Sequence, residues 1–367
     1  MTTAPYISFV AGSRNDDHGG NLGHRMQVFI ENLLAQCDRH GLDAELVLVE
    51  WNPPEDRPSL AEALVWPKSS LCCVRILTVP ADLHSRFDHA RALPLHQMIA
   101  KNVGILRARG AFVAVTNIDV LLSDDLIRFL AEKKLDADVW YRADRLDVAA
   151  NVPAGASAAD QLAYCRDHPL RRHRRDGTHD LTTGRFNRIF QDPGLLHAFC
   201  LLAPLSFLPG LETRLDNAKR SLAFIEACGR LHTNACGDFT AMARERWHHL
   251  RGYWEFAGFP SHIDGLTCYA AAFSEMTERI LPDSHCVYHI EHGSGSGFAG
   301  YTSGEKWKDL EKDGIPRLTP NDYRKTVFDM KAGRLPLIRN DENWGLGEYD
   351  LAETTPCTDA SATRERV

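Results

Sequence analysis

The triplet Asn117-Ile118-Asp119 closes a short apolar run, Ala111-Phe-Val-Ala-Val115. Its first and third residues project to the same side of an extended backbone. A carboxylate placed there suits a hard divalent ion whose other positions go to phosphate oxygens and water. Such an ion stabilises charge on a departing diphosphate. The plainer role for Asp119 is to tie down a loop at a sheet edge. Two more polar clusters end apolar runs: Ser13-Arg14-Asn15-Asp16-Asp17 follows Tyr6 to Ala11, and Glu50-Trp51-Asn52 follows Glu45 to Val49. Gly19-Gly20-Asn21 precedes a helix and can expose amides to phosphate, but its spacing fits a plain turn better than a phosphate loop. Late in the chain, His285-Cys-Val-Tyr-His289-Ile-Glu-His292 places His285 and His289 on one side of a strand. A zinc site there would need a fourth ligand, and none stands at suitable spacing. With 17 histidines in the chain, coincidence competes with either use. The arginines at 171, 172, 174 and 175 suit a phosphorylated partner or a solvated loop. Trp247, Tyr253, Trp254 and Phe256 suit sugar stacking or a core equally.

The elements that must position these groups alternate. Strand-like runs fall at Tyr6 to Ala11, Glu45 to Val49, Cys73 to Val79 and Ala111 to Val115. Met26, Phe29, Ile30, Leu33, Leu34 and Cys37 repeat at helical spacing, and Gly41 follows where that helix would stop. A second helix fits Leu95 to Arg107, with Met98, Ile99, Val103 and Leu106 on one face. Ser123-Asp124-Asp125 opens a third. Such alternation implies an α/β protein, a mostly parallel sheet with helices on both faces. Ligands then gather beyond the carboxyl ends of the strands, where the three polar clusters fall. After Trp140 the pattern becomes irregular. Residues 149–160 read as a loop, 168–185 as a basic loop, and helices return at Asp216 to Cys228 and Asp238 to Leu250.

The stretch Ile99-Ala-Lys-Asn-Val-Gly-Ile-Leu-Arg-Ala-Arg-Gly-Ala-Phe-Val-Ala-Val-Thr-Asn-Ile-Asp119 resembles GT-A fold glycosyltransferases, family 2-like, in their order of Asn-containing helix, turn, strand and acidic DxD motif. The resemblance spans roughly residues 6 to 130 and departs at Asn117, where the first acid of the motif would stand. It implies a GT-A type (Rossmann-like) sheet followed by a mixed, α-rich acceptor-side half. It makes Ser13, Arg14, Asp16, Glu50, Asn102 and Asn117 nucleotide-sugar contacts, and Asp119 a ligand for Mn2+ or Mg2+. His292 or His289 resembles the late histidine that completes such a metal site. Gly237-Asp238 resembles the general base of inverting members; the competing role for Asp238 is a helix cap. Asp264 and then Glu255 are the next candidates. The Gly293 to Gly297 run resembles a lid over bound donor.

The implied activity is hexosyl transfer from a nucleoside-diphosphate sugar to a hydroxyl on a carbohydrate, a lipid-linked or a small-molecule acceptor, with inversion and metal assistance. A sugar-phosphate nucleotidyltransferase is the first rival, although Ser13 to Asp17 is acidic and lacks that class's basic glycine-rich signature. A non-catalytic nucleotide- or sugar-binding module is the second. Residues 1–140 are expected to bind donor, 141–345 to hold acceptor and complete catalysis, and 346–367 to form a flexible tail.

The 367 residues, 44% hydrophobic and 25% charged, can bury a core without disulfides or a structural metal. A net charge of −7 argues against a nucleic-acid partner. Ten cysteines without a CxxC pair read as reduced core residues of a cytoplasmic protein. Met1 to Pro5 lacks the basic segment of a signal peptide, and the greasiest stretch, Ala198 to Leu208, is too short to span a bilayer. Peripheral association with the inner face of a membrane stays compatible with this composition.

Overall fold

A computed structural model describes residues 4–188, 193–205, 207, 210–292, 308 and 310–356. In chain order the strands are β1 Ile7–Ser13, β2 Ala44–Trp51, β3 Cys72–Val79, β4 Phe112–Val115, β5 Val120–Leu122, β6 Val139–Arg142 and β7 Arg145–Val148. They continue as β8 Pro169–Arg174, β9 Gly177–Asp180, β10 Phe186–Arg188, β11 Thr240–Ala243, β12 Thr277–Ile280, β13 Val287–Ile290 and β14 Ala352–Thr354. One sheet runs β12-β6-β11-β4-β1-β2-β3-β14, and the other runs β10-β9-β8-β7-β13-β5. In the larger sheet β3, β2, β1 and β4 are mutually parallel, β12 is parallel to β6, and β11 and β14 run against their neighbours. The fold is therefore α/β with a mainly parallel sheet, as the alternation implies.

The apolar runs of β1 and β2 are buried along their whole length, as strands covered on both faces must be. Helix α1 (Leu22–His40) lays Met26, Phe29, Ile30, Leu33 and Leu34 on one face of this sheet, and Gly41 ends it in a left-handed conformation. Helix α2 (Gln97–Arg107) covers the other face. It comes unusually close: a β-carbon on Gly104 would lie 2.4 Å from Val10 Cγ1, so only glycine fits. That close approach carries Gln97 and Lys101 over the strand ends.

Helix α3 (Asp124–Ala131) starts as expected, with Ser123 Oγ accepting from Leu126 N at 3.2 Å. Helices α4 (Leu211–Cys228), α5 (Ile263–Phe273) and α6 (Pro320–Lys331) pack together on the far side. Several expectations fail here. Residues 240–243 form a strand, so Asp238 precedes β11 and opens no helix. The basic segment 168–185 is not a loop. It is largely the hairpin β8–β9, whose charges find carboxylates on neighbouring segments. Within the expected tail, β14 pairs with β3, and Glu353 meets Arg75 at 2.7 Å. His285 lies before β13, against Phe129, and apart from His289.

Nine described cysteines are all free, seven of them buried. Among the described residues no helix is long and apolar enough to cross a membrane.

Candidate active site

The chain changes sheet twice within a few residues, between β4 and β5 and again between β6 and β7. Asn117 and Asp119 lie on the first crossing and Asp144 on the second; Arg145 begins the strand that follows it. Strand β13 pairs with β5 and β7, placing His289 opposite Val120 and Asp147, and Ile290 N donates to Asp119 O at 3.0 Å. Sheet pairing thus brings residues 170 positions apart in the chain into one site.

Three donor groups converge there. Asp119 Oδ2 lies 3.3 Å from His292 Nε2 and 3.8 Å from His289 Nε2, and the three residues offer ligand atoms within 4.8 Å of one another. Neither His289 Nδ1 nor His292 Nδ1 makes a hydrogen bond among the described residues. Two imidazoles and a carboxylate fit a divalent cation, and favour a first-row transition ion over Mg2+. The same Asp119 oxygen is 2.6 Å from Arg25 Nη1. Arg25 also donates to the carbonyls of His18 and Gly20. Burial alone would raise the Asp119 carboxyl, but His289, His292 and Arg25 hold it far below the carboxylate range. Gly19, at φ +75°, closes this corner: a β-carbon there would fall 2.6 Å from His292 Nδ1.

Asn117 points elsewhere. Its carbonyl accepts from Gln97 Nε2 at 3.0 Å, and its amide donates to Asp238 Oδ1 at 2.5 Å. An acid at 117 would face the Asp238 carboxylate, so asparagine is what this contact needs. The other Asp238 oxygen takes Arg145 Nη1 at 2.7 Å. Burial would raise the Asp238 carboxyl, yet Arg145, His289 and Lys101 outweigh it and lower it.

Asp264 is held differently. It sits in the first turn of α5, after His262 at φ 66°, and its Oδ1 accepts its own neighbour's Gly265 N at 2.9 Å. Oδ2 packs on Gly237, 3.1 Å from where a side chain at that residue would begin. No ion pair to Asp264 occurs among the described residues. Lys101, fully buried, donates to Gly237 O at 2.8 Å from the other side. Burial lowers the Lys101 ammonium, against the pull of Asp238, Asp264, Cys236 and Asp119. A cavity of about 440 Å³ opens at Asp264 between α4, α5 and α6, walled also by Asn234, His262, Tyr323 and Arg324. The His262 and Tyr323 rings stack there at 5.1 Å.

The remaining sequence candidates lie outside this cluster. Glu255 Oε1 accepts from Asn102 Nδ2 at 2.9 Å and Gly345 N at 2.7 Å; the Asn102 side chain also exchanges bonds with the Tyr253 backbone. That pair pins a loop. Ser13 donates to Met26 Sδ, and Glu50 accepts from Leu60 N at 2.8 Å, its carboxyl raised by burial. Arg14 bridges Asn52 O and Asp16, on the loop that leads through His18 to Arg25. Neither the 440 Å³ cavity nor one of about 460 Å³ beside Ser123 and Tyr288 is lined by Arg14, Glu50 or Asp119. Trp247 and Tyr253 are core residues, while Trp254 carries Arg339 at 4.3 Å over its ring. The Gly293 to Gly297 run lies outside the described residues.

Arg25, Lys101, Arg145, Asp147 and His173 belong to the site without standing out in the sequence. Arg25 and Lys101 left one signal, a cation on a helix among residues that face the core.

No family model matches the chain, and no curated protein is significantly similar to it. Solved glycosyltransferase structures are similar to it over most of its length. A mannosyltransferase from Pyrobaculum calidifontis, solved with GDP-Man and Mn2+, is 14% identical with a TM-score of 0.38, over 94% of this chain and 73% of that one. The catalytic domain of Drosophila β1,4-galactosyltransferase 7, in complex with xylobiose, is 9% identical with a TM-score of 0.34, over 85% and 81%. At these values the likeness assigns neither donor, ion nor residue roles.

Proposed function

We propose that this protein is a metal-assisted, inverting glycosyltransferase that moves a hexosyl group from a nucleoside-diphosphate sugar to a hydroxyl acceptor. The observation that carries the reading is the placing of two unlike sites around one buried lysine. Asp119, His289 and His292 converge on one cluster, Asp264 opens on a cavity, and both carboxylates act on the Lys101 ammonium. A divalent ion held by Asp119, His289 and His292 would offset charge on the departing diphosphate. Arg25, paired with Asp119, adds fixed positive charge on the same side.

Asp264 is the better base. Both Asp238 oxygens are engaged and its carboxyl is held low, so it orients Asn117 and Arg145; Glu255 is engaged by Asn102 and Gly345. In the proposed step an acceptor oxygen in the cavity attacks the anomeric carbon while the bond from that carbon to the diphosphate oxygen breaks. The diphosphate leaves with the electron pair, and the hydroxyl proton passes to Asp264. In this reading Arg14 and Asp16, partly buried on the loop after β1, flank the nucleoside. The cavity volume admits a sugar-sized acceptor.

A thermal-shift screen of nucleoside diphosphates with and without Mn2+ tests this reading. The expected result is stronger stabilisation with Mn2+, and loss of that difference in Asp119→Ala. Stabilisation by nucleotide with no metal dependence in the intact protein would remove the metal from the proposal.

A further inference from the structure

Asp147, on β7, is fully buried and carries four basic neighbours. Its Oδ2 accepts from Arg171 Nε at 2.6 Å and His173 Nε2 at 2.9 Å. Its Oδ1 lies 2.9 Å from Arg145 Nε and 3.2 Å from His289 Nδ1, as ion-pair contacts not aligned as hydrogen bonds. Cross-strand register enforces the last contact, because His289 is the β13 partner of Asp147.

A carboxylate beside Nδ1 keeps the histidine proton there. The lone pair of Nε2, which faces Asp119, is then free to bind an ion. His173 is orientated by the same carboxylate, with Nδ1 on Thr178 Oγ1 at 3.0 Å. Arg145 passes the constraint on to Asp238 and so to Asn117. One buried anion therefore sets the tautomer of a ligand and the posture of the opposite wall.

We infer that Asp147 is a positioning residue of the ion site, holding His289 with Nε2 directed at the cation. The inference rests on Asp119, His289 and His292 being that site. Carboxylates behind ligating histidines usually change metal affinity 10- to 100-fold. Asp144 is the internal control. It occupies the preceding turn and binds Arg172 at 3.0 Å and His232 at 3.1 Å, but touches none of the three ligands.

The test is Mn2+ binding to the intact, nucleotide-free protein, read from the electron paramagnetic resonance of free Mn2+. Asp147→Asn should bind roughly 10- to 100-fold more weakly, while Asp144→Asn keeps the affinity of the unaltered protein. If the unaltered protein binds Mn2+ and Asp147→Asn binds it equally well, the inference alone fails. If the unaltered protein binds none, the ion site and the inference fail together. Should Asp147→Asn not fold, 15N-histidine spectra of the unaltered protein at pH 9 decide, with the His289 resonance assigned through His289→Gln. A proton on Nδ1 supports the inference, and a proton on Nε2 overturns it.

Discussion

Replacing Asp119 with alanine should destabilise the metal-free protein by far more than an ordinary surface change. The Arg25 and Asp119 side chains are only 3% and 10% exposed, and their charged atoms are 2.6 Å apart. Without the carboxylate, the guanidinium keeps only the carbonyls of His18 and Gly20, and Arg25 Nε already lacks a hydrogen-bond partner among the described residues. Breaking a buried pair from one side typically costs about 3–5 kcal/mol, a large part of the roughly 5–15 kcal/mol that holds a domain together. Arg25→Met should cost less, since His289 and His292 can still compensate the carboxylate. In the double variant Asp119→Ala with Arg25→Met no charge is stranded, so most of the loss should return. Urea unfolding in EDTA, followed by tryptophan fluorescence, measures all three. A loss below about 1 kcal/mol in Asp119→Ala, or strict additivity in the double variant, would refute the coupling.

Asn117→Asp brings a second carboxylate against Asp238 Oδ1. It should lower stability by about 1–3 kcal/mol and leave Mn2+ affinity no higher; tighter Mn2+ binding would show that Asn117 faces the ion after all. Asn102→Ala should cost about 1–3 kcal/mol, because it leaves the buried Tyr253 N without its acceptor, while Tyr253 O keeps Asn340 Nδ2 and Glu255 keeps Gly345 N; a loss under about 0.5 kcal/mol would show that this bond does not hold the loop. His96, buried against Trp51, His84 and Phe87, is pushed down to about 4, chiefly by burial. The unfolded chain then binds the extra proton between pH 6.5 and 4, so stability is full above 6.5 and falls as pH drops through that window. The fall from this residue is at most about 3 kcal/mol. His96→Phe should flatten the pH dependence of urea midpoints, and an unchanged slope would place the titration elsewhere.

The first four strands and α1 were legible because a parallel, doubly covered sheet demands uninterrupted apolar runs separated by helices. The smaller sheet was not. Arg145-Leu-Asp-Val and Pro169-Leu-Arg-Arg-His-Arg carry charges where strands normally show apolar alternation, and those charges make sense only with the opposing strand in place. The span from Asp238 to Leu250 reads as one helix, since the four-residue strand Thr240–Ala243 is too short for a period-two pattern. Asp119, His289 and His292 could be named from residue type and resemblance, but their meeting depends on pairing between β13 and β5. Ranking Asp238 above Asp264 relied on a helix start that is absent, and a sequence cannot display the ion pair that Asp238 makes with Arg145.

The most direct measurement is the release of nucleoside diphosphate from a panel of nucleotide sugars, with Mn2+ and a mixture of hydroxyl acceptors. Release should occur with at least one donor and fall on EDTA addition. Asp264→Asn should slow it about 10²- to 10⁴-fold, the usual worth of a general base, while nucleotide binding persists. Formation of pyrophosphate from a sugar phosphate and a nucleoside triphosphate, or release that is indifferent to Asp264, would contradict the account.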